Sequence, residues 1–244
     1  MPAETHFYSD PDRAGRAPKV DIHRARGPAS ALIVHGGAFI GGHRRMGAVA
    51  CLTQHLLAAG ITVVAPDYRR PGVRSDLRTA VCDMEQAWHW WQTEAHRWDA
   101  DPASTALVGI SAGAALAGAM DVHPRRLVLI YGPMDLTRLP VFPGWINRVL
   151  FRDSDPDLPR RWSALARCTH PCPTLLVHGQ ADRLVDPEHS RALHRERLRR
   201  GLPSRLIEEP ERHERDHERH HPESEEQTGD GSHGLTPRLA SPIR

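Results

Sequence analysis

Short apolar runs, each cut off by glycine or a turn residue and followed by a helical stretch, constrain the fold of this chain most. The runs are SALIVHGG (30–37), ITVVAPDYR (61–69), TALVGIS (105–111), RLVLIYG (126–132) and PTLLVHG (173–179). A run apolar at consecutive positions fits a strand buried on both faces, not one that alternates between core and water. VDIHRA (20–25) is a candidate first strand and SRLIEE (204–209) a last one. Between them, MGAVACLTQHLLAAG (46–60) has helical apolar spacing and a C-terminal glycine. Residues 75–98 form a long helical pattern opened by Ser75 as N-cap, with Trp88, Trp90 and Trp91 expected to serve helix packing with one face exposed. Residues 112–120 form a small-residue helix, and 187–201 a helix with Pro187 in its first turn. Strands alternating with helices imply right-handed crossovers. The expected class is therefore α/β, with a mostly parallel central sheet and helices on both faces.

At 244 residues the chain can build one substantial core. A net charge of +2 argues against a dedicated nucleic-acid surface or an anionic-membrane surface. No apolar run is long enough to span a membrane, and the first residues lack the apolar segment of a secretory signal. A cytoplasmic location is expected, with Cys51, Cys82, Cys168 and Cys172 reduced. CTHPC (168–172) lacks the spacing of a zinc site and has no matching second pair, so it reads as a loop and no metal is expected.

Three stretches carry chemistry. GISAG (109–113) lies between a predicted strand and a predicted helix, where a sharp turn would present the Ser111 hydroxyl at the carboxyl edge of the sheet. The next helix starts there, so the Ala112 amide can meet an oxyanion. HGGAF (35–39) ends an earlier strand, and its glycines let backbone amides turn towards a ligand. Gly36 and Gly37 are the expected donors, with Ala38 as an alternative and His35 as a structural bracket. VHGQADRLVD (177–186) releases two acids into a loop. Asp182, nearer the strand, is placed to hold a histidine's Nδ1 proton, and Asp186 before Pro187 reads as a helix N-cap.

HGGAF, GISAG and HGQADRLVD, in that order, resemble the α/β-hydrolase fold. The likeness is to its HGGG-type esterases, the hormone-sensitive-lipase-like carboxylesterases, over about residues 20–213. APDYR (65–69) is similar to the stretch those proteins carry at that place. The resemblance implies Ser111 as nucleophile and Asp182 as the acid, with Gly36, Gly37 and Ala112 as the oxyanion hole. It implies no metal and no organic cofactor. This sequence has Ala38 where the family has a third glycine, which keeps the amide. It is short at its N-terminus and over 133–172, which suggests a lightly capped site for small acyl esters.

The histidine lies in a polar C-terminal stretch. From Glu208 to Gly234 there is no aliphatic residue and no Phe, Tyr, Trp or Cys, a composition that cannot offset the entropy of ordering. The family's closing apolar helix is therefore expected to be missing, and uncovered sheet surface gives a reason to form a homodimer. EEPERH supplies Pro210 and His213 at an offset similar to the family's histidine turn. His213 is the expected base, with His217 or no histidine at all as alternatives. The expected organisation is a loose lead-in over 1–19, the hydrolase domain over 20–213 and a polar tail over 214–244. The expected activity is hydrolysis of small carboxylic esters through Ser111, Asp182 and His213. A catalytically dead binding protein is the rival, and formamidase, lactonase or peptidase chemistry would use the same residues.

Overall fold

The computed structural model describes residues 3–10, 17–72, 75–139, 148–151, 156–167 and 169–210. His213, His217 and the stretch from 214 onward lie outside the described residues. Among the described residues, eight strands form one sheet: β1 (Glu4–Phe7), β2 (Lys19–His23), β3 (Ser30–Val34), β4 (Thr62–Pro66), β5 (Thr105–Ile110), β6 (Arg126–Ile130), β7 (Thr174–Gly179) and β8 (Ser204–Glu209). Their order across the sheet is β1-β2-β4-β3-β5-β6-β7-β8. Only the pairs β1/β2 and β2/β4 are antiparallel. The mostly parallel sheet follows from the βαβ alternation, since every parallel return needs a crossover. β3 and β4 are buried at all positions, as their uninterrupted apolar runs require.

The helices are α1 (Gly47–Ala58), α2 (Leu77–Glu94), α3 (Ala112–Ala119), α4 (Leu158–Trp162), α5 (Ala164–Arg167) and α6 (Glu188–Arg199). No helix among the described residues is long and apolar enough to cross a membrane. In α2, Leu77, Ala80, Val81, Met84, Ala87, Trp88 and Trp91 recur on one face and are buried. Trp88 and Trp91 are buried and Trp90 is half-buried, and the Trp91 indole N–H donates to Ser30 Oγ at 3.0 Å, so its polar edge is paired. The α2 cap is Asp76, not Ser75: its carboxylate accepts from the Thr79 amide at 2.8 Å and the Thr79 hydroxyl at 2.7 Å. Ser75 donates its hydroxyl to the Arg70 carbonyl instead, closing the preceding turn. Every residue of α3 is buried, and a methyl group at Gly118 would stand 2.6 Å from the Ala164 Cβ, so small residues let α5 approach closely. The CTHPC loop is tied down by Arg197, whose guanidinium donates to the carbonyls of His170 and Cys172 at 3.0 Å each.

The expected loose lead-in needs correcting. Residues 4–7 are not loose; they form edge strand β1, paired along their length with β2. Four residues show too little periodicity to announce a strand, and a buried ion pair reinforces the pairing. The Asp21 carboxylate, fully buried on β2, accepts from Thr5 Oγ1 at 2.7 Å and faces the guanidinium groups of Arg44 and Arg45. Burial alone would push its pKa up, but hydrogen bonds from Arg45, Thr5 and Arg44 outweigh this and bring it to about 2. A carboxyl whose folded pKa is depressed stabilises the fold above its unfolded value and loses that contribution as pH falls towards 2. Asp21→Asn should therefore cost about 2 kcal/mol at neutral pH. In urea titrations the difference from the wild type should close between about pH 4 and pH 2. A pH-independent difference would show that shape, not charge, holds β1 in place.

Candidate active site

The turn at Ser111 is built from its neighbours. β5 ends at Ile110, Ser111 takes φ 54° and ψ −123°, and α3 begins at Ala112. A non-glycine residue at positive φ is strained and persists only where the surroundings hold it. Here the Ser111 amide donates to the Ile130 carbonyl at 2.8 Å, and the Ser111 carbonyl accepts from the Ala114 amide at 2.9 Å. The flanking glycines are required by space. A methyl group at Gly109 would lie 2.4 Å from the Ala114 Cα, and one at Gly113 would lie 2.2 Å from the Val34 carbonyl oxygen. The G-x-S-x-G spacing therefore records how tightly α3 folds back over β5 and the end of β3.

The HGGAF segment lies against this turn. A methyl group at Gly36 would stand 3.0 Å from the Ser111 Cβ, which places the Gly36 backbone directly beside the serine. Gly37, Ala38 and Phe39 follow with φ of 116°, 51° and 68°, a left-handed run that curls the loop. The Gly41 amide closes it onto the Gly37 carbonyl at 2.8 Å. Phe39 is fully buried and anchors the loop in the core, a role its position after the glycines did not reveal. His35 is buried, donates from Nδ1 to the Gly36 carbonyl at 2.7 Å, and stacks on Tyr68 with ring centroids 4.2 Å apart. Burial lowers its pKa, with partial opposition from the Gly36 bond and Asp67.

Ala112 is the first residue of α3, so its amide has no partner within the helix and faces the positive end of the helix dipole. Asp182 leaves the carboxyl end of β7. Its Oδ1 accepts from the amides of Leu184 at 2.8 Å and Val185 at 3.0 Å. Its Oδ2 lies 3.5 Å from Nε2 of His178. That histidine is fully buried; Nε2 donates to the Val185 carbonyl at 2.9 Å and Nδ1 accepts from the Ser190 hydroxyl at 2.7 Å. The loop that carries Asp182 is thus stitched to the β7 strand and to α6. Asp186 is not the α6 N-cap: Pro187 holds that position without a side-chain cap, and Asp186, one residue earlier, accepts from the Glu188 amide at 2.9 Å.

β5, β6 and β7 are neighbours, so Ser111 and Asp182 share one sheet edge, two strand spacings (about 10 Å) apart. Between them, at the end of β6, sits Tyr131, which the sequence reading did not single out. It has φ 39°, its amide donates to the Val177 carbonyl at 2.7 Å, and burial, then the Asp182 charge, raises its pKa. The only hint in the sequence was a polar-tipped aromatic before Gly132 at a strand end. A cleft of about 650 Å³ lies elsewhere, lined by Leu77, Leu150, Phe151, Trp162 and Arg167 among others, and contains no residue of the Ser111 turn.

A family model described as alpha/beta hydrolase fold matches residues 31–141, a span that includes both the HGGAF loop and the Ser111 turn. The chain is an α/β-hydrolase-fold protein. Solved structures agree across most of its length. Esterase 2 of Thermogutta terrifontis, with propionate bound, superposes at TM-score 0.71 with 19% identity, covering 85% of this chain and 83% of its own. An acetyl ester-xyloside bifunctional hydrolase from Caldicellulosiruptor lactoaceticus gives 0.73 at 18% identity, covering 85% and 86%. A lipase/esterase from Lactobacillus plantarum gives 0.71 at 17% identity, covering 86% and 91%. No curated protein sequence matches the chain. In this hydrolase fold, the Ser111 turn, the HGGAF loop and the Asp182 loop all sit at the carboxyl ends of parallel strands, the edge where open α/β sheets place their ligands.

Proposed function

We propose that this protein hydrolyses small carboxylic esters through an acyl-enzyme on Ser111. The observation that carries the reading is the contact between two separately encoded elements: a strained serine turn and a glycine loop whose backbone lies against it. In the proposed reaction Ser111 Oγ attacks the acyl carbonyl and passes its proton to His213. The amides of Gly36, Gly37 and Ala112 hold the oxyanion, and Asp182 orients the imidazole through Oδ2. The imidazolium protonates the leaving alcohol, and water activated by the same histidine releases the acid. β8 supports His213 as the base, because it ends beside the Asp182 loop: the Glu209 carbonyl accepts from the Gln180 amide at 2.9 Å. Pro210 and His213 then follow in the sequence. The T. terrifontis structure with bound propionate and the C. lactoaceticus acetyl-ester hydrolase favour short acyl groups as the first to try.

One observation favours the rival, a hydrolase-shaped binding protein. Asp182 is already held by two amides and faced by His178, which is sufficient reason for an acid in that loop. Labelling with a fluorophosphonate separates the two readings, because the probe needs an activated serine and no known substrate. Intact mass should show one adduct on the wild type and labelling slowed by about 10³-fold or more in His213→Ala. A folded chain that takes no adduct overturns the esterase reading. Undiminished labelling of His213→Ala removes that residue as the base.

A further inference from the structure

The two faces of the sheet are covered unequally. α2, α3, α5 and α6 pack on one face. Among the described residues, α1 is the only helix on the other, over β3, β4 and β5. Side chains under α1, such as Ile33, Val63 and Ile110, are at most 3% exposed. Further along the same face, Val128 and Ile130 on β6, Leu175 and Val177 on β7, and Ile207 on β8 are all only half-buried. That these side chains share the α1 face follows from β8, where Ser204 and Glu208 point the other way and bond His194 and Arg191 of α6.

The solvent side of α1 is also unusual. The helix reads GAVACLTQHLLA and carries no Asp, Glu, Lys or Arg, whereas α6 reads EHSRALHRERLR. Its outward positions are Ala50, Cys51, Gln54, His55 and Ala58, all exposed. A surface helix normally carries charges on its solvent face. We propose that two copies of this chain associate through this face, the α1 of each lying along the open β6–β8 strip of the other. The strip spans two strand spacings, about 10 Å, which is the width of one helix. α1 is about 18 Å long at its residue rise. Because each copy offers both a helix and a strip, the contact is self-complementary under a two-fold axis.

The occupant is a second copy because it brings an uncharged helix, whereas residues 210–234 hold no Ala, Val, Leu, Ile, Met, Phe, Tyr or Trp and so offer little apolar surface to bury. The paired contact removes on the order of 1,000 Å² from water, the lower end for a specific interface, so association should depend on concentration.

Cys51 on α1 and Cys82 on α2 provide the test, since both thiols are exposed and only the first lies in the proposed contact. The full-length protein would be followed by sedimentation velocity across about 1–100 µM, with iodoacetamide alkylation of both cysteines at each concentration. The expected result is a monomer–dimer equilibrium in which Cys51 alkylation slows several-fold as dimer fills, while Cys82 stays constant. Ala50→Glu, which keeps a good helix former in α1, should sediment as monomer throughout with Cys51 fast and the melting temperature retained. A wild type that stays monomeric overturns the proposal. So does a dimer that survives Ala50→Glu with Cys51 open, which would point to the β8 edge. So does a Cys51 already slow where only monomer sediments, which would mean the chain covers itself.

Discussion

Ser111→Ala should lower the hydrolysis of a p-nitrophenyl ester of a short acid by about 10⁴-fold or more, with KM little changed where it can still be measured. The size follows from the role proposed for Ser111. Without its oxygen no acyl-enzyme forms, and only the oxyanion donors and the bound geometry remain to assist water. Folding should be almost untouched, because alanine at φ 54° is strained no more than serine and the backbone bonds to Ile130 and Ala114 stay in place. A variant that keeps its melting curve and loses its turnover places the chemistry at the turn. A variant that keeps its turnover places it elsewhere.

The largest stability effect should come from Gly113→Ala. A methyl group there would meet the Val34 carbonyl oxygen at 2.2 Å and the His35 carbonyl oxygen at 2.5 Å. Both are backbone atoms, at the end of β3 and the start of the HGGAF loop, so no side chain can rotate away, and relief requires α3 to lift off the sheet. The expected cost is about 3 kcal/mol or more, a fall in melting temperature of roughly 10 °C for a chain of this length. Gly47→Ala, where nothing lies within 4 Å, is the matched control and should be neutral or slightly stabilising. A Gly113→Ala protein that melts within about 2 °C of the wild type would show that the motif glycine is free of the packing assigned to it.

Legibility differed by residue. The apolar runs announced β3 to β7, and the loss of apolar character from Glu208 fell within the last two residues of β8. The Ser111 turn was readable because its glycines must be small, and that requirement is written locally. Asp186 was expected as the α6 cap, but Pro187 holds the cap position and Asp186 stands one residue earlier. β1 was not readable, because its strength comes from Asp21, Arg44 and Arg45 meeting across the fold. Nor was the choice of Asp76 over Ser75 as cap, since both can serve and only the path of the preceding turn decides.

By itself the sequence determined the class of fold, the alternation of strands and helices along the chain, and the three strand-end loops where chemistry was to be sought. These rest on periodicity, turn residues and glycine, all of which act over a few positions. The tertiary structure alone decided what touches what. It laid Gly36 against Ser111, buried Phe39 to hold that loop, set Tyr131 between the serine and Asp182, and left one face of the sheet with a single helix among the described residues. Such contacts join segments far apart in the chain, and which of them form depends on how the whole core packs.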